Sequence, residues 1–82
     1  MYTAEVRIGL KKGVADPEGA NTHKTLQLLG FQNIRGVHSV KTFTLDVDAA
    51  SEDAARTEVE KACKRLLANP VIHDYTIALS KR

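Results

Sequence analysis

Residues 10–30 read LKKGVADPEGANTHKTLQLLG, and they decide how the chain is built. Asp16 stands where a helix needs a cap, because its carboxylate can accept a free N–H of the first turn. Pro17 follows at the first helical position, where its missing N–H costs nothing. Glu18 adds negative charge at the positive end of the helix dipole. Gly30 supplies the left-handed stop. A helix is therefore predicted from Pro17 to about Leu29. Its face of Thr22, Thr25, Leu26 and Leu29 is only moderately apolar.

On the N-terminal side, residues 2–10 (YTAEVRIGL) alternate. Tyr2, Ala4, Val6, Ile8 and Leu10 point one way, and Thr3, Glu5, Arg7 and Gly9 the other. A period of two over this length is a half-buried strand. Residues 11–16 then join strand to helix. On the C-terminal side, residues 31–48 (FQNIRGVHSVKTFTLDVD) are extended in character. Phe43, Leu45 and Val47 alternate with Thr44 and Asp46, but Ile34, Val37 and Val40 break the phase. That slip implies a bulge, bend or turn near 36–40 and leaves one bent strand or two short ones open. Ser51 caps a second helix with Glu52 and Asp53 in its first turn. Its apolar stripe is Ala55, Val59, Ala62 and Leu66, with Cys63 beside it, and Asn69-Pro70 ends it. A last strand is expected over 71–80, with Val71, Tyr75, Ile77 and Leu79 on one face. The order β-α-β-(β)-α-β is α+β and ferredoxin-related. It places two helices on one face of a mostly antiparallel sheet.

The 82 residues allow one domain, 1–82. A chain of this size buries roughly 60% of its unfolded surface. With one Cys it has no internal disulfide. A small unstapled core of this kind is expected to be completed by self-association, as a dimer at least. The net charge of +2 is too small to point to nucleic acid. Its excess lies early: residues 1–41 hold six Lys/Arg against three Asp/Glu, and residues 42–82 hold six against seven. No apolar run is long enough to span a membrane. No secretory pattern opens the sequence, and a cytoplasmic protein is expected.

No reactive constellation assembles. The glycines at 9, 13, 19, 30 and 36 match neither a Rossmann fingerprint nor a P-loop. Gly13 with Lys11 and Lys12 ahead of a helix could hold an anion; a flexible turn with solvated lysines explains them more simply. His23, His38 and His73 fall on different elements, and no metal-ligand set forms. Cys63, on the apolar side of a helix with no His beside it, reads as a structural thiol. Asp46 and Asp48, taken to share the outward face of a strand, are a poor Mg²⁺ site and an ordinary solvated surface. Two Phe and two Tyr, none in an RNP-like run, make RNA binding a weak third reading.

The order of these residues resembles the PurS family, the small subunit of multi-subunit phosphoribosylformylglycinamidine (FGAM) synthase. The resemblance is carried by VRIGLKKGVADPEG, TLQLLGF, VHSVKTFTLDV and LLANPVIHDYTI, and it covers nearly the whole chain. It departs before the long strand. The family usually reads Val-Arg-x-Gly-Lys, whereas Val37-His38-Ser39-Val40-Lys41 keeps only the Val and the Lys, so Lys41 alone is carried over. The resemblance implies a non-catalytic assembly subunit of the enzyme that makes FGAM from formylglycinamide ribonucleotide (FGAR), ATP and glutamine. It would bridge a PurL-like synthetase and a PurQ-like glutaminase and support ammonia transfer between them. The chain would bind no cofactor itself; ATP, Mg and glutamine would be used by the whole complex. The expected partner-facing residues are Lys11, Lys12, Gly13, Gly19 and Lys41. A homo-oligomer, dimer or tetramer, is expected, with no nucleic acid and no membrane. The alternative is a stand-alone dimeric domain sensing a small anion or metabolite.

Overall fold

A computed structural model describes residues 1–81. Strand β1 (Tyr2–Leu10) is followed by helix α1 (Pro17–Leu28), strand β2 (Lys41–Val47), helix α2 (Glu52–Ala62) with a π-helical turn (Cys63–Leu67), and strand β3 (His73–Lys81). The sheet order is β2-β1-β3, antiparallel throughout. The alternating strand read at 2–10 is thus the central one. Val6 lies opposite Phe43 on one side and Ile77 on the other, and Ala4 lies opposite Leu45 and Leu79.

This register puts Ala4, Val6 and Ile8 on one face with Phe43, Leu45 and Val47 of β2 and Tyr75, Ile77 and Leu79 of β3. The other face carries Thr3, Glu5, Arg7, Thr42, Thr44, Thr76 and Ala78. Burial follows the alternation. Ala4, Val6 and Ile8 are buried, whereas Glu5 and Arg7 are exposed. Helix α2 packs on the apolar face across β1 and β3 through Val59 and Cys63. Ser51 starts it, its hydroxyl accepting the Ala54 N–H at 3.1 Å. Each fully buried side chain here, such as Val6 or Val59, contributes about 1.5–3 kcal/mol, and the core contains few of them.

The α+β architecture of two helices and an antiparallel sheet is as expected, and the structure differs from the sequence reading in four details. First, the stretch 31–48, left open as one bent strand or two, contains the single strand β2 at Lys41–Val47, and residues 31–40 take no part in the sheet. Asp48 accordingly lies beyond the end of β2 and does not share a strand face with Asp46. Second, the apolar stripe of α2 does not continue to Leu66. The Ala68 N–H bonds the Cys63 carbonyl five residues back, at 2.9 Å. That inserts one residue into the turn and advances the phase. Leu66 swings out to 84% exposure, Leu67 is drawn against the core and Ala68 is buried. Third, Val71 is not on the inner face of the last strand. Asn69 organises a turn in which its side-chain oxygen accepts the Val71 N–H and its carbonyl accepts those of Ile72 and His73. The strand begins only at His73.

Fourth, α1 does not lie beside α2 on the sheet. Its ends are built as read. Asp16 caps it, and a Schellman motif closes it. Phe31 N–H bonds Leu26 O at 3.0 Å, Gly30 N–H bonds Gln27 O at 3.1 Å, and Gly30 has φ +99°. Yet Gly19 is its one buried residue, and Leu28 is 80% exposed. A helix of 12 residues is about 18 Å long and a nine-residue strand about 30 Å. Placed end to end they account for the molecule's 51 Å length. The radius of gyration is 16.2 Å, against about 12 Å for a compact chain of this size. The large apolar side chains at its far end, Leu28 and Leu29, are exposed and do not pack on its own sheet.

Candidate partner-facing surface

The predicted site residues gather at the end of the sheet where β1 leaves and β2 enters. Lys11 is tied down by its backbone: its N–H donates to the Ile72 carbonyl at 2.8 Å, and its ammonium lies 4.0 Å from Asp74. Val14 N–H returns to Lys11 O at 3.1 Å, closing a turn through Lys12 and Gly13. Gly13 has φ +87°, a conformation that suits glycine. Both Lys12 and Gly13 are exposed. Lys41, across the strand pair from Ile8, is exposed and stands 5.7 Å from the centre of the Phe43 ring. Lys11–Gly13 line one open depression of about 430 Å³ and Lys41 another of about 410 Å³. Leu10, Ser39 and Val40 form the wall between them.

Behind this surface is a clamp centred on Asp16. One carboxylate oxygen accepts the Gly19 N–H at 3.0 Å and the Ser39 hydroxyl at 2.7 Å; the other accepts the Ser39 N–H at 2.8 Å. These donors favour the charged form. The Ser39 N–H first, then the Gly19 N–H and the Ser39 hydroxyl, hold the Asp16 carboxyl below its ordinary value of 3.8. Gly19 is buried beside it. A Cβ there would stand 2.5 Å from the Val37 carbonyl oxygen and 2.6 Å from the Asp16 carboxylate. The backbone that approaches Gly19 thus belongs to the same chain, and Gly19 supports the surface from beneath. Sequence reasoning missed Ser39 and Val37, because nothing local marks residues that close a contact across about twenty positions.

The other candidates do not converge. His23 on α1 donates from Nε2 to the Ile34 carbonyl at 2.8 Å. His73 at the start of β3 accepts the Asn69 N–H at Nδ1, 2.9 Å. His38 lines the Lys11–Gly13 depression. Cys63 is fully buried, and that burial, with Glu60 nearby, pushes its thiol up from 9.0. Among the described residues no three His, Cys, Asp or Glu side chains gather as a metal cage, and no helix is long and apolar enough to cross a membrane. The surface is one of backbone turns, lysines and half-covered aliphatic groups, suited to contact with another molecule.

Comparison with known proteins points one way. The family model described as PurS, phosphoribosylformylglycinamidine (FGAM) synthase, matches residues 3–81. Phosphoribosylformylglycinamidine synthase subunit PurS of Archaeoglobus fulgidus is 51% identical over 74 residues, covering 90% of this chain and 92% of that one. Among solved structures, PurS of Methanocaldococcus jannaschii is described as one of the subunits of formylglycinamide ribonucleotide amidotransferase in the purine biosynthetic pathway. It superposes with a TM-score of 0.90 at 46% identity, over 100% of this chain and 99% of that one. A chain in the structure of PurLQS from Thermotoga maritima superposes with a TM-score of 0.88 at 25% identity, over 96% of each chain.

Proposed function

The chain belongs to the PurS family of FGAM synthase subunits, and from that premise we propose that it works by docking between two catalytic partners. As a PurS it is a subunit of the enzyme that makes FGAM in purine biosynthesis. The proposed partners are a PurL-like ATP-dependent synthetase and a PurQ-like glutaminase. The chain bridges them and supports the passage of ammonia from one to the other. It binds no cofactor; ATP, Mg and glutamine are handled by the rest of the complex, in the cytoplasm. The chain itself is a homo-oligomer.

The observation that carries this reading is the likeness, over 96% of each chain, to a chain of the Thermotoga maritima PurLQS structure. The residues proposed to face the partners are Lys11, Lys12, Gly13 and Lys41, with Gly19 shaping the turn beneath. A stand-alone anion sensor is not favoured, because family membership extends over residues 3–81. The test is reconstitution of glutamine-dependent FGAM formation by the two partner subunits with and without this chain. Loss of glutamine-dependent turnover when the chain is omitted is the expected result. Full turnover without it overturns the proposal.

A further inference from the structure

The depression beside the lysine turn is lined by donors that the chain itself leaves unused. The turn is fixed at both ends, by the Lys11 N–H on the Ile72 carbonyl at 2.8 Å and by the Val14 N–H on the Lys11 carbonyl at 3.1 Å. Lys12 and Gly13 stand between those two bonds. Among the described residues neither of their backbone N–H groups has a hydrogen-bond partner, and the Lys12 ammonium makes no ion pair. His38, from the segment before β2, lines the same depression. Its ring makes no hydrogen bond, whereas His23 bonds the Ile34 carbonyl and His73 the Asn69 N–H.

These are cationic and N–H donors gathered around one hollow without acceptors to match. Asp16, the carboxylate on its lining, is already bound by the Gly19 N–H and by the N–H and hydroxyl of Ser39. The Lys11 ammonium stands 4.0 Å from the exposed Asp74, and so loose a contact is readily exchanged for a better acceptor. Backbone N–H groups of a turn, flanked by ammonium groups, are the donor set that binds phosphate oxygens. The hollow's volume of about 430 Å³ is far more than a single phosphate group fills, and Leu10, Val14 and Val40 give it an apolar wall. Polar donors at one side and apolar cover at the other suit a phosphate carried on a small organic body. We propose that this depression binds a small phosphate monoester. Its phosphate group lies against Lys11, Lys12, Gly13 and His38, and its body against Leu10, Val14 and Val40. The site is made by one chain and needs no partner subunit.

The experiment titrates the isotope-labelled intact chain with ribose 5-phosphate at fixed pH and ionic strength, and in parallel with inorganic phosphate and with ribose. Saturable shifts of the Lys12 and Gly13 amides and of the His38 ring are expected. Ribose 5-phosphate should produce them at lower concentration than inorganic phosphate, and ribose should produce none. Lys12→Gln should raise the dissociation constant about tenfold, the loss of one charge-assisted contact, and His38→Gln should raise it less. Both positions are exposed, so the rest of the amide spectrum should be unchanged. Shifts that never saturate, or that fall equally on Lys24, Lys61 and Lys64, reflect general charge screening and overturn the site. Unchanged affinity in Lys12→Gln overturns its placement, and inorganic phosphate binding as tightly as the ester overturns the choice of ligand. The titration contains no other subunit, so its failure leaves the docking proposal to be judged by the reconstitution assay.

Discussion

The carboxylate of Asp16 binds both the backbone N–H and the hydroxyl of Ser39, 23 residues away, at 2.8 and 2.7 Å. The same group caps α1 through the Gly19 N–H. One side chain thereby sets where the helix starts and ties that start to the residues leading into β2. Because these bonds are made to the ionised form, the Asp16 carboxyl titrates lower in the folded protein than in the unfolded chain. The stabilisation is therefore present above the unfolded value near 3.8 and is lost as pH falls toward the depressed folded value. Urea midpoints measured from neutral pH downward should fall through the acid range. Asp16→Asn should start lower at neutral pH and depend less steeply on pH, and an unchanged slope in that variant would count against the clamp.

Gly19 tests the same region from the other side. Alanine is the better helix former by about 1 kcal/mol, so propensity alone predicts that Gly19→Ala stabilises. The structure predicts the opposite, since the new methyl would meet the Val37 carbonyl at 2.5 Å. Overpacking of this kind costs about 1–3 kcal/mol. The contact is to backbone, which cannot rotate aside. A net loss of at least about 1 kcal/mol is expected in chemical denaturation, and a gain would remove the close approach.

The π-helical turn gives a sharper contrast. Continued α-helical spacing from Val59 places Leu66 inside; the inserted residue turns it outward and brings Leu67 to the core. Leu66→Ala should change stability by no more than about 0.5 kcal/mol. Leu67→Ala should cost about 1–2 kcal/mol, below the range for a fully buried leucine because the site is only partly covered. Equal losses would mean that the helix continues without the extra residue.

These cases show where the sequence was legible. The period of two at 2–10, the caps at Asp16 and Ser51 and the Gly30 stop are local signals, and each structure element they mark is present. The placement of α1 was not legible, because it depends on contacts between residues as far apart as Asp16 and Ser39. Nor was the phase shift after Cys63, since no residue in Cys63–Leu67 breaks α-helical periodicity. The lysines of the candidate surface were visible as a charge imbalance. That they share one end of the sheet followed only from the pairing of Lys41 with Ile8.

Cys63 is fully buried in the core, and its thiol is pushed up from 9.0 by that burial and by Glu60. It should react with iodoacetamide far more slowly in the native protein than in urea, because the thiolate is the reactive form. Cys63→Ser keeps the shape but buries a hydroxyl in apolar surroundings, at a cost of about 1–3 kcal/mol. Rapid native labelling, or a serine variant as stable as the parent, would contradict the assignment of a structural thiol.

The lysine turn at the end of β1 carries charge that folding does not need. Lys12 is exposed, and the Lys11 ammonium stands 4.0 Å from the exposed carboxylate of Asp74. Such a pair adds at most about 1 kcal/mol to folding. Reversing both charges, Lys11→Glu with Lys12→Glu, should therefore leave the thermal midpoint close to that of the parent chain. Association is another matter. Charges at an interface act mainly on the rate and selectivity of encounter. The double variant should be captured less well by a PurL-like synthetase, with the loss shrinking as salt is raised. Lys11→Arg with Lys12→Arg keeps the charge and should restore capture. Undiminished binding of the glutamate variant at low salt would remove this turn from the docking surface. Equal weakening by the arginine pair would assign the effect to the shape of the turn and not to its charge.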